Sequence, residues 1–205
     1  MDRAPGPEPE PPDDLARRSL PLRAFVDATW FRGHKRDYGP LHFNPASGRF
    51  CAPDRTAFGT LYLGIDPRAS FIEAFAQLLG TAATGYVVSQ NLLERSCLCV
   101  VRATRPLRLV DLTRGAALRR LATDADARIS TGSHTVSQRW AEAFWRHPDQ
   151  PDGILYPCRR EPEFHSVALF DRVQPHLIAN CATNLLHDRH ELAAILDHYD
   201  CALIS

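Results

Sequence analysis

The segment that most constrains the fold is residues 60–79, where a short apolar strand at 60–64 leads directly into a helix. Asp66 and Pro67 mark the junction, because aspartate caps helix N-termini and proline fits the first helical turn. Apolar side chains then recur at helical spacing, at Ile72, Phe75, Ala76 and Leu79. Glu73 lies about 100° around the helix from Ile72, at the edge of this apolar face. The pattern predicts a strand–turn–helix unit whose acid either points into a cleft or lies in solvent.

The loop before this strand mixes Phe and Tyr with turn-forming residues and arginine, from Tyr38 to the start of the strand. Solvated linkers are mostly polar, so this composition is more typical of a loop folded over a ligand. Arg49 follows Gly48 in a tight turn, and we expect the backbone to control its direction. Asn44 and Pro45 are expected to shape the loop, and His42 is a weak candidate for a base.

Periodicity in the rest of the chain predicts a mixture of strands and helices. Residues 24–31 could form a strand or a short helix. Further strands are expected at 98–102, 107–111, 153–156 and 166–170, and helices at 113–121, 136–147 and 188–198. Asp188 and Glu191 have the spacing of a capping box at the start of the last helix. The alternation is too irregular for a doubly wound nucleotide-binding sheet, so an α+β domain is predicted.

Length and charge limit the class of protein. The 205 residues suit one domain, which we place at 20–205, preceded by a Pro-rich tail at 1–19 that is expected to be disordered. Arg and Lys together number 24, as do Asp and Glu, so no basic excess indicates direct nucleic-acid binding. No apolar run reaches the roughly 20 residues that span a bilayer, and no signal peptide is evident. A cytoplasmic protein without membrane contact is expected.

The six cysteines, at 51, 97, 99, 158, 181 and 201, show no CxxC spacing. Zinc sites in sequence are usually recognised by such pairs, so no metal site is predicted. For a cytoplasmic protein, reduced thiols are the expected state.

An ordered series of motifs carries a resemblance to a known family. The series is Arg32, HFNPASGRF at 42–50, LYLG at 61–64, Glu73, DGILYPCRR at 152–160 and VALFDR at 167–172. It resembles the RES family, named for an Arg, a Glu and a Ser, most strongly over residues 23–172. The resemblance implies a single domain with a mixed β core and flanking helices, related to the ADP-ribosyltransferase fold. It also implies a bacterial toxin that degrades NAD+ by phosphorolysis or hydrolysis, or that transfers ADP-ribose to a protein. A cognate helix-turn-helix antitoxin would bind it as a hetero-oligomer.

The residues agree with that chemistry. Cleavage of the nicotinamide–ribose bond develops positive charge on the sugar, which a carboxylate such as Glu73 would stabilise. Arg32 and Arg49 would hold the pyrophosphate, or the inorganic phosphate expected as co-substrate, through their planar guanidinium groups. Tyr62 would stack on nicotinamide and bond the ribose, or else belong to the core. No cofactor or metal beyond NAD+ itself is expected.

One residue departs from the family pattern. Cys158 stands where the family usually has serine, and it is expected to line the pocket. A thiol is a poorer hydrogen-bond donor than a hydroxyl, so activity would be reduced, or the protein would be a catalytically weakened binding module. Cys158 could alternatively act as a nucleophile. Ser166 and Ser137 are possible substitutes for the missing serine.

Overall fold

The computed structural model describes residues 8–82, 85–123, 126–181 and 184–204. Its strands are β1 (Leu22–Phe25), β2 (Thr29–Lys35), β3 (Thr60–Gly64), β4 (Gly80–Ala82), β5 (Gly85–Ser89), β6 (Ser96–Ala103), β7 (Leu107–Asp111), β8 (Gly153–Pro157), β9 (His165–Phe170), β10 (Leu177–Cys181) and β11 (Ala202–Ile204). Its helices are α1 (Pro67–Phe75), α2 (Gln90–Glu94), α3 (Gly115–Arg120), α4 (Arg128–Thr131), α5 (His134–Trp145) and α6 (Arg189–His198). Short 3₁₀ helices lie at Leu15–Arg17 and Asp171–His176.

The main sheet has eight strands in the order β1-β7-β8-β9-β3-β2-β6-β10. β7 and β8 are parallel, and the other neighbours in this sheet are antiparallel. A smaller sheet has the order β11-β5-β4. A mixed sheet with flanking helices in a single domain confirms the predicted fold class.

The main sheet splits between β2 and β3. These strands pair only at Phe31 and Gly64. Beyond this point β2 continues along β6 as far as Lys35, while β3 pairs with β9 over its whole length. Two neighbouring strands that separate leave a gap lined by their backbones and side chains, and this gap positions the site described below.

Three hydrophobic clusters hold the domain together. The first lies under α5 and includes Trp140, Phe144, Ile154 and Phe170. The second lies between α1 and α6 and includes Phe71, Phe75, Leu192 and Ile195. The third includes Trp30, Leu61, Leu63 and Leu169. Successive side chains on a strand point to opposite faces, so Tyr62 packs on the first cluster while its neighbours Leu61 and Leu63 pack in the third.

The strand–turn–helix unit forms as predicted. β3 has the expected bounds, and the Asp66 carboxylate accepts a hydrogen bond from the Arg68 amide at 2.8 Å. α1 ends at Phe75 rather than near Leu79, because the chain tightens there, with the Leu78 amide bonding the Phe75 carbonyl at 2.7 Å. Local capping and periodicity were therefore sufficient to find this unit but not its last turn.

Other predicted elements differ more. Residues 24–31 do not form one element. β1 and β2 are separate strands, and the backbone turns between them at Asp27, whose φ is 50°. The strand at 107–111 and the start of α6 are confirmed, with Asp188 accepting from the Glu191 amide at 3.0 Å. The sequence reasoning missed β10 and the whole smaller sheet, whose strands are short or half-polar.

The N-terminal segment is more ordered than expected. Residues 8–19, which we expected to be disordered, lie against α5: the Trp140 indole donates to the Pro9 carbonyl at 2.8 Å, and Glu10 pairs with Arg139. Leu15 is buried in the first cluster. The buried Leu15, the indole hydrogen bond, the Glu10–Arg139 pair and the contact of His147 Nε2 with the Leu15 carbonyl together hold a Pro-rich segment whose composition alone suggested disorder. Residues 1–7 of the predicted tail lie outside the described residues.

The cysteines also differ from expectation. Cys99 on β6 and Cys181 on β10 face each other in the strand register and form a disulfide. The expectation of reduced thiols throughout is therefore wrong for this pair, because strand pairing brings together two residues 82 apart in sequence.

Among the described residues, no helix has the length and apolarity needed to cross a bilayer.

Candidate active site

The split between β2 and β3 opens into a cleft of about 820 Å³. Its walls come from β2, β3, α1, the loop after β2, the start of α5 and the turn after β8. Arg32, Arg49, Tyr62 and Glu73, which the sequence singled out, all line this cleft. Residues up to 41 positions apart therefore share one space, although the chain places them on four separate segments.

The position of α1 is set by its contact with β2. A Cβ atom added at Gly33 would lie 2.9 Å from Phe75 Cε2 and 3.1 Å from the Ser70 carbonyl oxygen, so only glycine allows this approach. The Gly33 amide also donates to Ser70 Oγ at 2.6 Å. The helix is thus fixed against the strand, with its exposed Glu73 directed to the cleft.

Glu73 is held by the turn after β8. Its Oε1 accepts hydrogen bonds from the Cys158 thiol at 3.1 Å and from the Arg159 amide at 3.0 Å. No described residue donates to Oε2. One carboxylate oxygen therefore fixes the orientation, and the other remains available to a ligand in the cleft.

Cys158 was expected to line the cleft, but it does not. It is buried behind Glu73, in the cluster between α1 and α6. Burial, reinforced by the nearby Glu73 carboxylate, raises the pKa of the thiol to about 11. The sulfur is consequently protonated at neutral pH, which suits a hydrogen-bond donor and disfavours a nucleophile. Its position makes it a positioning residue for Glu73.

Arg32 on β2 is a cation with incomplete pairing. Its Nη2 donates to the His42 carbonyl oxygen at 3.1 Å, whereas Nε and Nη1 are shielded from solvent and bond no described residue. Burial lowers the pKa of the guanidinium to about 10, so the group is still charged at neutral pH. Shielded N–H groups without acceptors are costly, and a bound anion would satisfy them.

Arg49 and Tyr62 are organised by one loop. Gly48 has a φ of +130°, and a Cβ atom there would lie 2.5 Å from the Tyr62 hydroxyl, so the backbone turns tightly over the ring. The hydroxyl accepts from the Phe50 amide at 2.7 Å. Arg49 Nη1 donates to the Gly132 carbonyl at 2.6 Å. Tyr62 thus anchors the loop with its hydroxyl, and its half-buried ring faces the cleft.

The other candidates fall into two groups. Asn44 shapes the loop as expected, with Oδ1 accepting from the Ala46 amide at 2.9 Å, and His42 stacks on Tyr38 at the cleft. Ser166 lines the cleft, whereas Ser137 lies outside it and donates to the Ile129 carbonyl at 2.7 Å. Neither serine donates to Glu73, so neither takes the place of Cys158 in that contact.

Sequence reasoning missed several residues of the cleft. Arg159, Arg160, His134 and Gln138 all line it. Burial, together with the charges of Arg49 and Arg159, lowers the pKa of His134 and favours the neutral imidazole. The sequence could have indicated the two arginines, because they directly follow Cys158 in the motif at 152–160. Among the described residues, the cleft gathers several arginines and one carboxylate, that of Glu73, a charge balance suited to an anionic ligand.

Comparisons with known proteins bear on the family and the fold of this chain. The model of the RES domain family matches residues 20–194. A probable toxin of Sinorhizobium fredii (strain NBRC 101917 / NGR234), y4kH, is 40% identical over 115 residues, covering 56% of this chain and 87% of that protein. The crystal structure of the M. tuberculosis MbcT–MbcA toxin–antitoxin complex contains a chain with a TM-score of 0.57 and 19% identity, covering 82% of this chain and 90% of that one. At that identity the structural likeness speaks for the fold. Since the family model spans most of the sequence, the chain belongs to the RES domain family.

Proposed function

We propose that this protein is a toxin that degrades NAD+ by cleaving the nicotinamide–ribose bond. The observation that carries the proposal is the cleft between β2 and β3, where Arg32 and Arg49 lie in the same space as the fixed carboxylate of Glu73. Its volume of about 820 Å³ is within the range of pockets that enclose whole ligands. NAD+ matches this combination, because its pyrophosphate would bind the arginines and its ribose, which becomes cationic, would lie near the carboxylate.

The reaction can be assigned to these residues without a cofactor or a metal. The arginines would bind the pyrophosphate, and Tyr62 would offer its ring to nicotinamide. When the bond between C1′ and the nicotinamide nitrogen breaks, both electrons go to the ring, which becomes neutral. The ribose then carries the positive charge, and the free Oε2 of Glu73 would stabilise it. Phosphate or water would add to C1′ and complete the reaction.

Phosphorolysis is the favoured outcome. Attack by inorganic phosphate on a substrate that already carries a pyrophosphate is opposed by charge repulsion. Arg49, Arg159 and Arg160 lie in the cleft in addition to Arg32, so more cations are present than one pyrophosphate requires. These side chains would hold the second anion beside the first.

The family and the relatives support the proposal of toxin activity under the control of an antitoxin. One relative is a probable toxin, and the neighbouring structure is a toxin–antitoxin complex. We therefore propose that a cognate helix-turn-helix antitoxin binds this chain and that both act in the cytoplasm, where NAD+ is abundant. Co-purification of the chain with the product of a neighbouring gene would test the partner.

Product analysis tests the reaction. The purified chain would be incubated with NAD+ with and without phosphate, and the products followed by phosphorus NMR. Free nicotinamide with ADP-ribose 1″-phosphate is expected, and ADP-ribose alone would indicate hydrolysis. Transfer of labelled ADP-ribose to a cellular protein, with no free sugar product, would replace this proposal with a protein ADP-ribosyltransferase. Unchanged NAD+ with folded protein would support a binding module.

A further inference from the structure

A second cluster of reactive side chains lies where β2, β6 and β10 run side by side, and its His34 also lines the cleft. His34 on β2, Cys99 on β6 and Cys181 on β10 bring one nitrogen and two sulfur atoms within 4.8 Å of one another. The proposed NAD+ chemistry uses none of these atoms. We propose that, once the Cys99–Cys181 disulfide is reduced, these three side chains bind one thiophilic divalent cation such as Zn²⁺.

The orientation of His34 is the first argument. Its Nδ1 lies 2.8 Å from the Lys35 carbonyl oxygen, which can only accept a hydrogen bond, so Nδ1 carries the hydrogen. Nε2 is then the unprotonated nitrogen, and it points at Cys99 Sγ, 3.1 Å away. An imidazole whose other nitrogen donates to a backbone carbonyl is the usual arrangement of a metal-binding histidine.

The contact between Nε2 and Cys99 is the second argument. In the disulfide neither atom carries a hydrogen, so two electron-rich atoms face each other in a buried place without a donor between them. A cation bonded to both atoms would turn this contact into an attraction. The donor set of one imidazole and two thiolates is one that zinc prefers, and it leaves one tetrahedral position for water.

Strand register is the third argument. Cys99 and Cys181 are direct partners across β6 and β10, so the register holds both sulfurs side by side and near His34 Nε2. Cys99 is fully buried, whereas Cys181 lies on the outermost strand of the sheet and is accessible to solvent. The edge strand thus gives both a reductant and a cation access to the pair.

The chemistry balances with two named reactants. A phosphine reductant supplies two electrons to the disulfide and becomes a phosphine oxide, while one water molecule supplies that oxygen and the two protons, which gives two thiols. Binding of the divalent cation then releases both thiol protons and forms two sulfur–metal bonds and one nitrogen–metal bond. The disulfide and the metal site are mutually exclusive states of the same cysteines. In the metal-bound state β2 would be joined to β6 and β10, whereas the disulfide joins only β6 and β10.

The test compares oxidised and reduced full-length protein. After reduction with a phosphine and its removal without oxygen, Zn²⁺ binding would be measured by equilibrium dialysis, and Co²⁺ binding by the thiolate-to-cobalt charge-transfer absorption. We expect one equivalent in the reduced protein and none in the oxidised protein. Residues that only hydrogen-bond a metal ligand contribute roughly 10- to 100-fold in metal affinity. Because Cys181 would be a ligand itself, Cys181→Ser should weaken binding by at least about 100-fold.

Matched variants make the result decisive. Cys201→Ser removes a half-buried cysteine outside the cluster and should bind Zn²⁺ as the wild type does. His34→Gln removes the nitrogen and keeps both sulfurs, so binding should weaken while two thiolates still contribute to the cobalt spectrum. Circular dichroism would establish that each variant is folded. The proposal is overturned if folded, reduced wild type binds no equivalent of Zn²⁺, if oxidised protein binds it equally, or if Cys181→Ser has no effect.

Discussion

The two walls of the cleft differ in how completely their polar groups are paired. On the α1 wall, formed by α1 and the turn after β8, Glu73 already accepts two hydrogen bonds, from Cys158 and from the Arg159 amide. On the β2 wall, Arg32 keeps two shielded nitrogens without partners among the described residues. A carboxylate held through one oxygen can be oriented in advance of the reaction, whereas a cation with unmet donors is fully paired only when a ligand binds.

This contrast assigns different roles to the two walls. The α1 wall would serve the transition state, since its carboxylate is fixed where positive charge would develop. The β2 wall would serve binding, since its cation gains most when an anion arrives. Substitutions on the α1 wall should therefore lower kcat, and substitutions on the β2 wall should mainly raise KM.

The largest effect is expected on the α1 wall. Glu73→Gln keeps the size of the side chain and an oxygen that accepts from the Arg159 amide, but it removes the charge. We expect kcat for NAD+ cleavage to fall by about 100- to 1000-fold, with little change in KM. Nicotinamide release would be measured by chromatography, with the exposed Glu163→Gln as control. A loss confined to KM would contradict the division between the walls.

On the β2 wall, Arg32→Met replaces a partly unpaired cation with an apolar side chain of similar length. We expect KM for NAD+ to rise by about 10- to 100-fold, since charged hydrogen bonds contribute roughly 1.5–3 kcal/mol. The free energy of unfolding should stay the same or increase, because the cost of burying the charge is removed.

Calorimetry and steady-state kinetics on the same preparation would show both effects of Arg32→Met. Arg36→Met, at an exposed position just after the end of β2, serves as the control. Marked destabilisation by Arg32→Met would show that the arginine holds the fold rather than a ligand.

A smaller effect is expected at Cys158, which fixes Glu73. Cys158→Ala removes the donor and should lower kcat by about tenfold, the loss of one hydrogen bond to a charged group. Cys158→Ser offers a stronger donor and should match or exceed the wild type. If alanine and serine behaved alike, the thiol would not orient the acid. Complete loss of activity in both variants would instead support a role for Cys158 as a nucleophile.

The smallest effect concerns stability at high pH. The Cys158 pKa is raised by burial from 9.0 in the unfolded chain to about 11 in the fold, so the folded state retains the proton longer. This stabilising contribution is full below pH 9 and is lost as the pH rises to about 11; it amounts to a few kcal/mol at most. Urea unfolding under reducing conditions should show a steeper decline from pH 9 to 11 in the wild type than in Cys158→Ser. If the free energy of unfolding declined equally with pH in both proteins, the raised pKa of Cys158 would be contradicted.

The sequence was informative where the interactions are local. Asp66 and Pro67 determine the start of α1 through a cap and a fixed φ, and both lie within three residues of the groups they act on. The motifs also named Arg32, Arg49, Tyr62 and Glu73, which line the cleft. They did not show that Cys158 lies behind Glu73, because a motif gives the order of residues and not the depth of each side chain.

The same limit explains the missed elements. β10 and the segment 8–19 have compositions that local patterns do not recognise, and they are fixed by distant partners: β10 by β6, and the segment by Trp140, which bonds Pro9 and shares the first cluster with Leu15. Contacts between segments so far apart in sequence leave no periodic trace in either partner.

Residue types and short spacings were sufficient to identify the family, the strand–turn–helix unit, Glu73, and the arginines at 32 and 49. They could not show that β2 and β3 separate, that Arg32 has unmet donors among the described residues, or that Cys99 and Cys181 meet beside His34. These features depend on strand order and register, which arise from pairing between distant segments. Pairing is a property of the whole sheet, and no single stretch of the chain encodes it.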